Sequence, residues 1–260
     1  MGHAVVHFEV GAADDEPLVA FYGELFGWGL RASSGGGYTM IDTRGGGGIN
    51  GGIGRSQTGE PWSAFYVETD DPRATLDKAN SLGGTTVMPV TDFGGAVTIA
   101  MFDDPDGLLV GLVRAPAGPS YRDAPAPSAG SGEPVDWFEV LGSDAARTQR
   151  FYADLFGWKV DRSGIPGYAV VDTGTGRGIQ GGIGGGEESR WATVYAGVTD
   201  LERTLRRAEK LGGSRVRAPG VSALKSAARA ALYGSSGDMH TGLFRDPAGN
   251  VFGVYQKAAR

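Results

Sequence analysis

The chain has no cysteine and only three histidines, His3, His7 and His240, among its 260 residues. Lack of cysteine excludes a disulfide scaffold, cysteine-bound zinc, iron–sulfur clusters and a thiol nucleophile. Long apolar runs are missing too: none approaches the roughly 20 residues that span a bilayer. Lys and Arg number 24 against 30 Asp and Glu, and no basic cluster offers nucleic acid a surface. Met1-Gly2-His3-Ala4 has neither the basic nor the apolar region of a signal peptide. A cytoplasmic protein without membrane or nucleic-acid partners is therefore expected.

Glycine, by contrast, is abundant. It makes up 46 of 260 residues, where about 7% is usual. The glycines follow no Gly-X-Y period and alternate with Phe, Trp, Tyr, Val and Ile, which excludes collagen and argues against disorder. Charge is uneven, 6 basic against 15 acidic residues over 1–118 and 17 against 13 over 135–260. Such a difference suits two diverged solvated surfaces, or halves that associate, although exposed charges are screened beyond about 10 Å.

The chain repeats itself. Phe21-Tyr22-Gly23-Glu24-Leu25-Phe26-Gly27-Trp28 returns as Phe151-Tyr152-Ala153-Asp154-Leu155-Phe156-Gly157-Trp158. Phe8-Glu9-Val10 returns as Phe138-Glu139-Val140, and Gly51-Gly52-Ile53-Gly54 as Gly181-Gly182-Ile183-Gly184. Asp103-Asp104-Pro105-Asp106-Gly107 has its counterpart in Arg245-Asp246-Pro247-Ala248-Gly249, with extra residues read as a short helix at 222–233. Two homologous domains, 1–116 and 135–260, are expected, joined by an exposed linker at 117–134 rich in Pro, Gly, Ser and Ala. Within each copy a weaker symmetry links Asp14-Asp15 with Asp70-Asp71, each an acidic helix start. Leu18, Phe21, Tyr22, Leu25 and Phe26 mark one apolar helical face. Strand, helix and three strands, used four times, is the predicted unit.

With those motifs in order and duplicated, the sequence resembles the vicinal-oxygen-chelate superfamily: glyoxalase I, bleomycin-resistance proteins, fosfomycin-resistance enzymes and extradiol dioxygenases. It looks most like the tandem two-domain actinobacterial branch. The resemblance implies an α+β fold in which tandem βαβββ units form curved, mostly antiparallel, cup-shaped sheets with helices outside. It also implies a ligand cavity inside the cup.

The same resemblance carries a metal site that this chain does not reproduce. The family's last-strand Glu falls on Gly111 and Gly253, its fifth-strand His on Ala64 and Thr193, and its fourth-strand ligand within the Gly-Gly-Ile-Gly runs. Only His7 remains, with Trp137 opposite it in copy two, and a one-residue change of register puts Phe8 there instead. No metal and no other cofactor is expected. Gly111 and Gly253 either ease strand curvature or leave apolar room for a larger ligand.

Strand alternation places Val6, Phe8 and Val10 under the helices and His7 and Glu9 on the other face. By the family's geometry that second face lines the cup. It adds Trp62 and Tyr66 from copy one and Trp137, Trp191, Thr193, Tyr195 and Tyr255 from copy two, with His240 near the inserted segment. Aromatic rings with one polar tip suit a flat, partly polar ligand, or they fill the core. Glu9 and Glu139, with His7, are the acid–base candidates, because a carboxylate inside an apolar wall is costly unless paired. The alternative is a strand-end Glu that reaches solvent or holds a backbone N–H.

Two readings of function follow. The first is a metal-independent binder of an aromatic natural product or antibiotic, as in bleomycin resistance. The second is an enzyme of the same superfamily, a metal-free isomerase, lyase or cyclase, or a metalloenzyme with an atypical site. A small molecule is the expected partner, with a homodimer or pairing of the two domains as the assembly.

Overall fold

The computed structural model describes residues 3–114, 126–162, 164, 166–186, 190–216 and 240–257. The helix expected at 222–233 lies outside them. The first copy contains β1 (Val5–Ala12), α1 (Glu16–Phe26), β2 (Gly29–Ala32), β3 (Tyr38–Asp42) and β4 (Asn50–Arg55). It continues with β5 (Trp62–Glu68), α2 (Pro72–Ser81), β6 (Thr85–Asp92), β7 (Thr98–Asp103) and β8 (Leu109–Arg114). The second repeats this as β9 (Val135–Gly142), α3 (Ala145–Phe156), β10 (Lys159–Asp161), β11 (Tyr168–Asp172) and β12 (Gln180–Gly185). Its second half is β13 (Trp191–Val198), α4 (Leu201–Lys210), β14 (Ser214–Val216), β15 (Thr241–Arg245) and β16 (Val251–Gln256). The predicted unit thus occurs four times.

Each copy builds an eight-stranded mixed sheet, ordered β2-β3-β4-β1-β5-β8-β7-β6 and β10-β11-β12-β9-β13-β16-β15-β14. The hairpin pairs are antiparallel, while β5 with β8 and β13 with β16 run parallel, aligning Tyr66 with Gly111 and Tyr195 with Gly253. Three of the four helix starts carry the expected acidic cap, whereas at α1 the Asp15 carboxylate caps no N–H and accepts from Arg55. Asp71, Asp144 and Asp200 accept from N–H groups of the first turns of α2, α3 and α4. Gly27 and Gly157, both at φ 69°, close α1 and α3 in the left-handed conformation that favours glycine.

Packing sorts the chain differently from the sheets. Two compact units each take half of each copy: 1–7, 64–125 and 138–192 in one, 8–63, 126–137 and 193–260 in the other. The repeated motifs explain this exchange. In the second unit Tyr22 of α1 donates to Asp246 Oδ2 at 3.0 Å, and in the first Tyr152 of α3 donates to Asp104 Oδ2 at 3.0 Å. Each Asp is the first residue of an Asp-Pro-x-Gly turn, and its other oxygen accepts two backbone N–H groups of that turn. Burial pushes both carboxyls up against the pull of these donors. It also holds both tyrosine hydroxyls well above their usual range, with the neighbouring carboxylate adding to the effect.

Around these pairs lie the aromatic cores. Trp28 stacks on Tyr22 at 4° between planes, beside Phe8, Phe26 and Phe252. Trp158 stacks on Tyr152 at 7°, beside Phe138 and Phe156. Over the described residues 126–134 the linker is exposed at 126 and 128–131 but anchored at a few points. Pro127 and Gly132 are buried, Ser128 bonds Asp42 through both its N–H and its hydroxyl, and Glu133 O accepts from Trp28 Nε1. Among the described residues no helix is long and apolar enough to cross a membrane.

Candidate functional site

Glu9 and Glu139 occupy equivalent places on β1 and β9, and both are buried. Neither reaches solvent as a strand-end Glu would; each is held by side-chain donors. Tyr38, on β3, donates to Glu9 Oε1 at 2.7 Å. Tyr168, on β11, donates to Glu139 Oε1 at 3.2 Å, and Trp191 Nε1 donates to Glu139 Oε2 at 2.9 Å. These hydrogen bonds to buried carboxylates offset much of the desolvation cost that burial imposes.

The glycine-rich strands make this arrangement possible. Within β4, a Cβ on Gly51 would strike the ring of Phe8, and one on Gly52 the phenol of Tyr38. Within β12, Gly181 lies beneath Phe138 and Gly182 beneath Tyr168. These glycines are needed for close approach of aromatic rings to the sheet, not for turns.

The same geometry decides what Gly111 and Gly253 do. A Cβ on Gly111 would fall within the ring of Tyr66, and one on Gly253 within the ring of Tyr195. The room left by the family's Glu is therefore taken up by the protein's own tyrosines. His7 is half-buried with its ring edge-on to Tyr66, centroids 5.7 Å apart. Ala64 offers no donor atom, and Thr193 spends its hydroxyl on Val251 O at 2.8 Å. Among the described residues no group of three His, Asp or Glu side chains could hold a metal ion. The residues at the family's ligand positions do not fit one.

The remaining candidates separate. Trp62, half-exposed, covers Gly11, whereas Trp191 is buried against Glu139. Trp137 is buried, and His240 is exposed, its carbonyl accepting from Gln256 N–H. Tyr255 runs over Gly197 and its hydroxyl meets both oxygens of Asp136, at 2.8 and 2.7 Å. Burial pushes the Asp136 carboxyl up to about 6, although the Tyr255 hydroxyl and the Lys257 charge pull the other way. Lys257 in turn pairs with Glu133 at 2.6 Å. Sequence reasoning passed over Tyr38, Tyr168 and Asp136. The recurrence of a Tyr 130 residues apart marks the first two, and an Asp where the first copy has Val6 marks the third.

The comparisons agree with this architecture. The model of the Glyoxalase/Bleomycin resistance protein/Dioxygenase superfamily matches residues 4–112, and that of the Glyoxalase-like domain matches 138–255. The chain is 26% identical over 232 residues to the anthracycline biosynthesis protein DnrV of Streptomyces peucetius, covering 80% of this chain and 81% of that protein. DauV of Streptomyces sp. (strain C5), also named an anthracycline biosynthesis protein, matches with the same identity and coverage. The Mn(II)-bound glyoxalase from Novosphingobium aromaticivorans shares the fold, with a TM-score of 0.63 at 14% identity over 98% of this chain and 83% of that one. The 2,3-dioxygenase LapB from Pseudomonas sp. KL28 does so at 0.61 and 15%, over 100% and 94%. The chain is a tandem-domain member of the glyoxalase/bleomycin resistance protein/dioxygenase superfamily.

Proposed function

We propose that this protein binds a planar, partly polar aromatic small molecule without a metal ion. The observation that carries the reading is the loss of the family's ligand set: Gly111 and Gly253 lie under tyrosine rings, Ala64 has no ligand atom, and Thr193 spends its hydroxyl on Val251 O. Aromatic side chains and hydrogen-bonded carboxylates remain on the same strands, which favours flat ligands over a chelated one. The two Streptomyces relatives are named for anthracycline biosynthesis, and fused aromatic rings of that class suit such a surface.

Titration of tryptophan fluorescence with a panel of hydroxyanthraquinones and other aromatic natural products tests this. Saturable quenching in the low-micromolar range supports the reading, and a flat response to every member refutes it. A metal-free acid–base reaction is the second reading, favoured by the 2.7 Å hydrogen bond between Tyr38 and Glu9. There Glu9→Gln abolishes turnover but spares affinity; retained turnover excludes Glu9 from the chemistry.

A further inference from the structure

Resting on that binding reading, we infer that the aromatic ligand is held by the first copy, at Trp62 and Tyr38 beside Glu9. The equivalent place in the second copy is closed by Leu141. All the first-copy residues belong to one compact unit.

The difference begins at one position. Gly11 lies two residues beyond Glu9 on β1, and its missing side chain leaves space that the Trp62 indole covers. Gly54 lies between the two rings. A Cβ there would stand 3.1 Å from Trp62 Cζ2 and 3.9 Å from Tyr38 Cδ2. Tyr38 continues over Gly52 to reach Glu9. Three glycines thus lie directly beneath the Trp62 and Tyr38 rings, with a carboxylate at one side and the outer face of Trp62 half-exposed.

In the second copy Leu141 stands where Gly11 does. Over Gly184, Leu141 Cδ2 and Tyr168 Cδ2 would each lie 2.8 Å from a Cβ, so the two side chains close directly above that glycine. Trp191, with that place filled, turns to Glu139 and is buried. Its N–H is spent on the carboxylate. Trp62 stays half-exposed, and among the described residues no acceptor meets its indole N–H. A flat apolar face with an unspent donor at its edge suits a fused-ring aromatic that carries a carbonyl or phenol oxygen on its rim.

The test is calorimetric titration of the full chain with 1,8-dihydroxyanthraquinone. Wild type is expected to take one molecule per chain. Trp62→Ala and Gly11→Leu should each weaken binding by at least about tenfold, while Trp191→Phe stays within about twofold of wild type. If Gly11→Leu does not fold, Trp62→Ala, at a half-exposed position, decides alone. Two equal sites, equal losses at both tryptophans, or one site indifferent to Trp62→Ala would each overturn this assignment but leave the binding reading standing. If wild type binds no member of the aromatic panel, the binding reading falls and this inference falls with it.

Discussion

Asp136 gives the most quantitative prediction. Its carboxyl is buried beneath the Tyr255 hydroxyl, with Lys257 nearby and Glu133 paired to that lysine. The first copy has Val6 and Val113 at the places of Asp136 and Tyr255, so the polar pair is an addition to an apolar site. Burial raises the carboxyl from 3.8 in the ordinary case to about 6 in the folded protein. A group raised on folding favours the folded state most when protonated. Its contribution is complete below about pH 4 and is lost as pH rises through 6. The full displacement corresponds to roughly 3 kcal/mol, of which about 2 kcal/mol falls between pH 4.5 and 7.5.

Asp136→Asn keeps an acceptor for Tyr255 but cannot ionise. Urea unfolding of both proteins across that range isolates the effect, because all other titrations cancel in the difference. The variant should gain on wild type by about 2 kcal/mol as pH rises from 4.5 to 7.5, and the gain should level off above pH 7. A difference that stays constant within about 0.5 kcal/mol refutes the raised carboxyl.

Other outcomes follow from the packing. Tyr22→Phe and Tyr152→Phe each remove a donor to a buried carboxylate, and each should cost about 1.5–3 kcal/mol in denaturant unfolding. A cost near zero would mean that the turn N–H groups suffice for Asp104, and those groups with the Asn250 side-chain amide for Asp246. Gly111→Ala and Gly253→Ala force a methyl into the rings of Tyr66 and Tyr195, and each should cost about 1–3 kcal/mol. A neutral or stabilised variant would show that the tyrosine ring does not sit there.

Much of this molecule was legible in its sequence. The four strand–helix–strand units, the acidic helix starts and the glycines that end α1 and α3 follow from local periodicity and capping chemistry, which are short-range. Alternation on β1 and β9 fixes the face of Glu9 and Glu139, but not their burial, since a strand-end Glu that reaches solvent fits the same pattern. Their partners were not legible either. Tyr38 and Tyr168 lie on another strand, and only pairing brings them over Gly52 and Gly182. The room expected at Gly111 and Gly253 fails for the same reason, since the tyrosine that fills it comes from a neighbouring strand aligned by parallel register. Tyr22 and Asp246 stand 224 residues apart, so the repeated motifs gave no sign that each helix is pinned by the turn of the other copy. Trp62 and Trp191 look equivalent in sequence, yet Trp62 lies over Gly11 while Trp191 donates to Glu139.

Binding of 1,8-dihydroxyanthraquinone with and without chelator separates a metal-free aromatic site from a chelated one. Affinity should be unchanged by EDTA and unchanged by added Mn(II), Fe(II) or Zn(II). Binding that disappears with EDTA and returns with one of those ions would contradict metal-free binding.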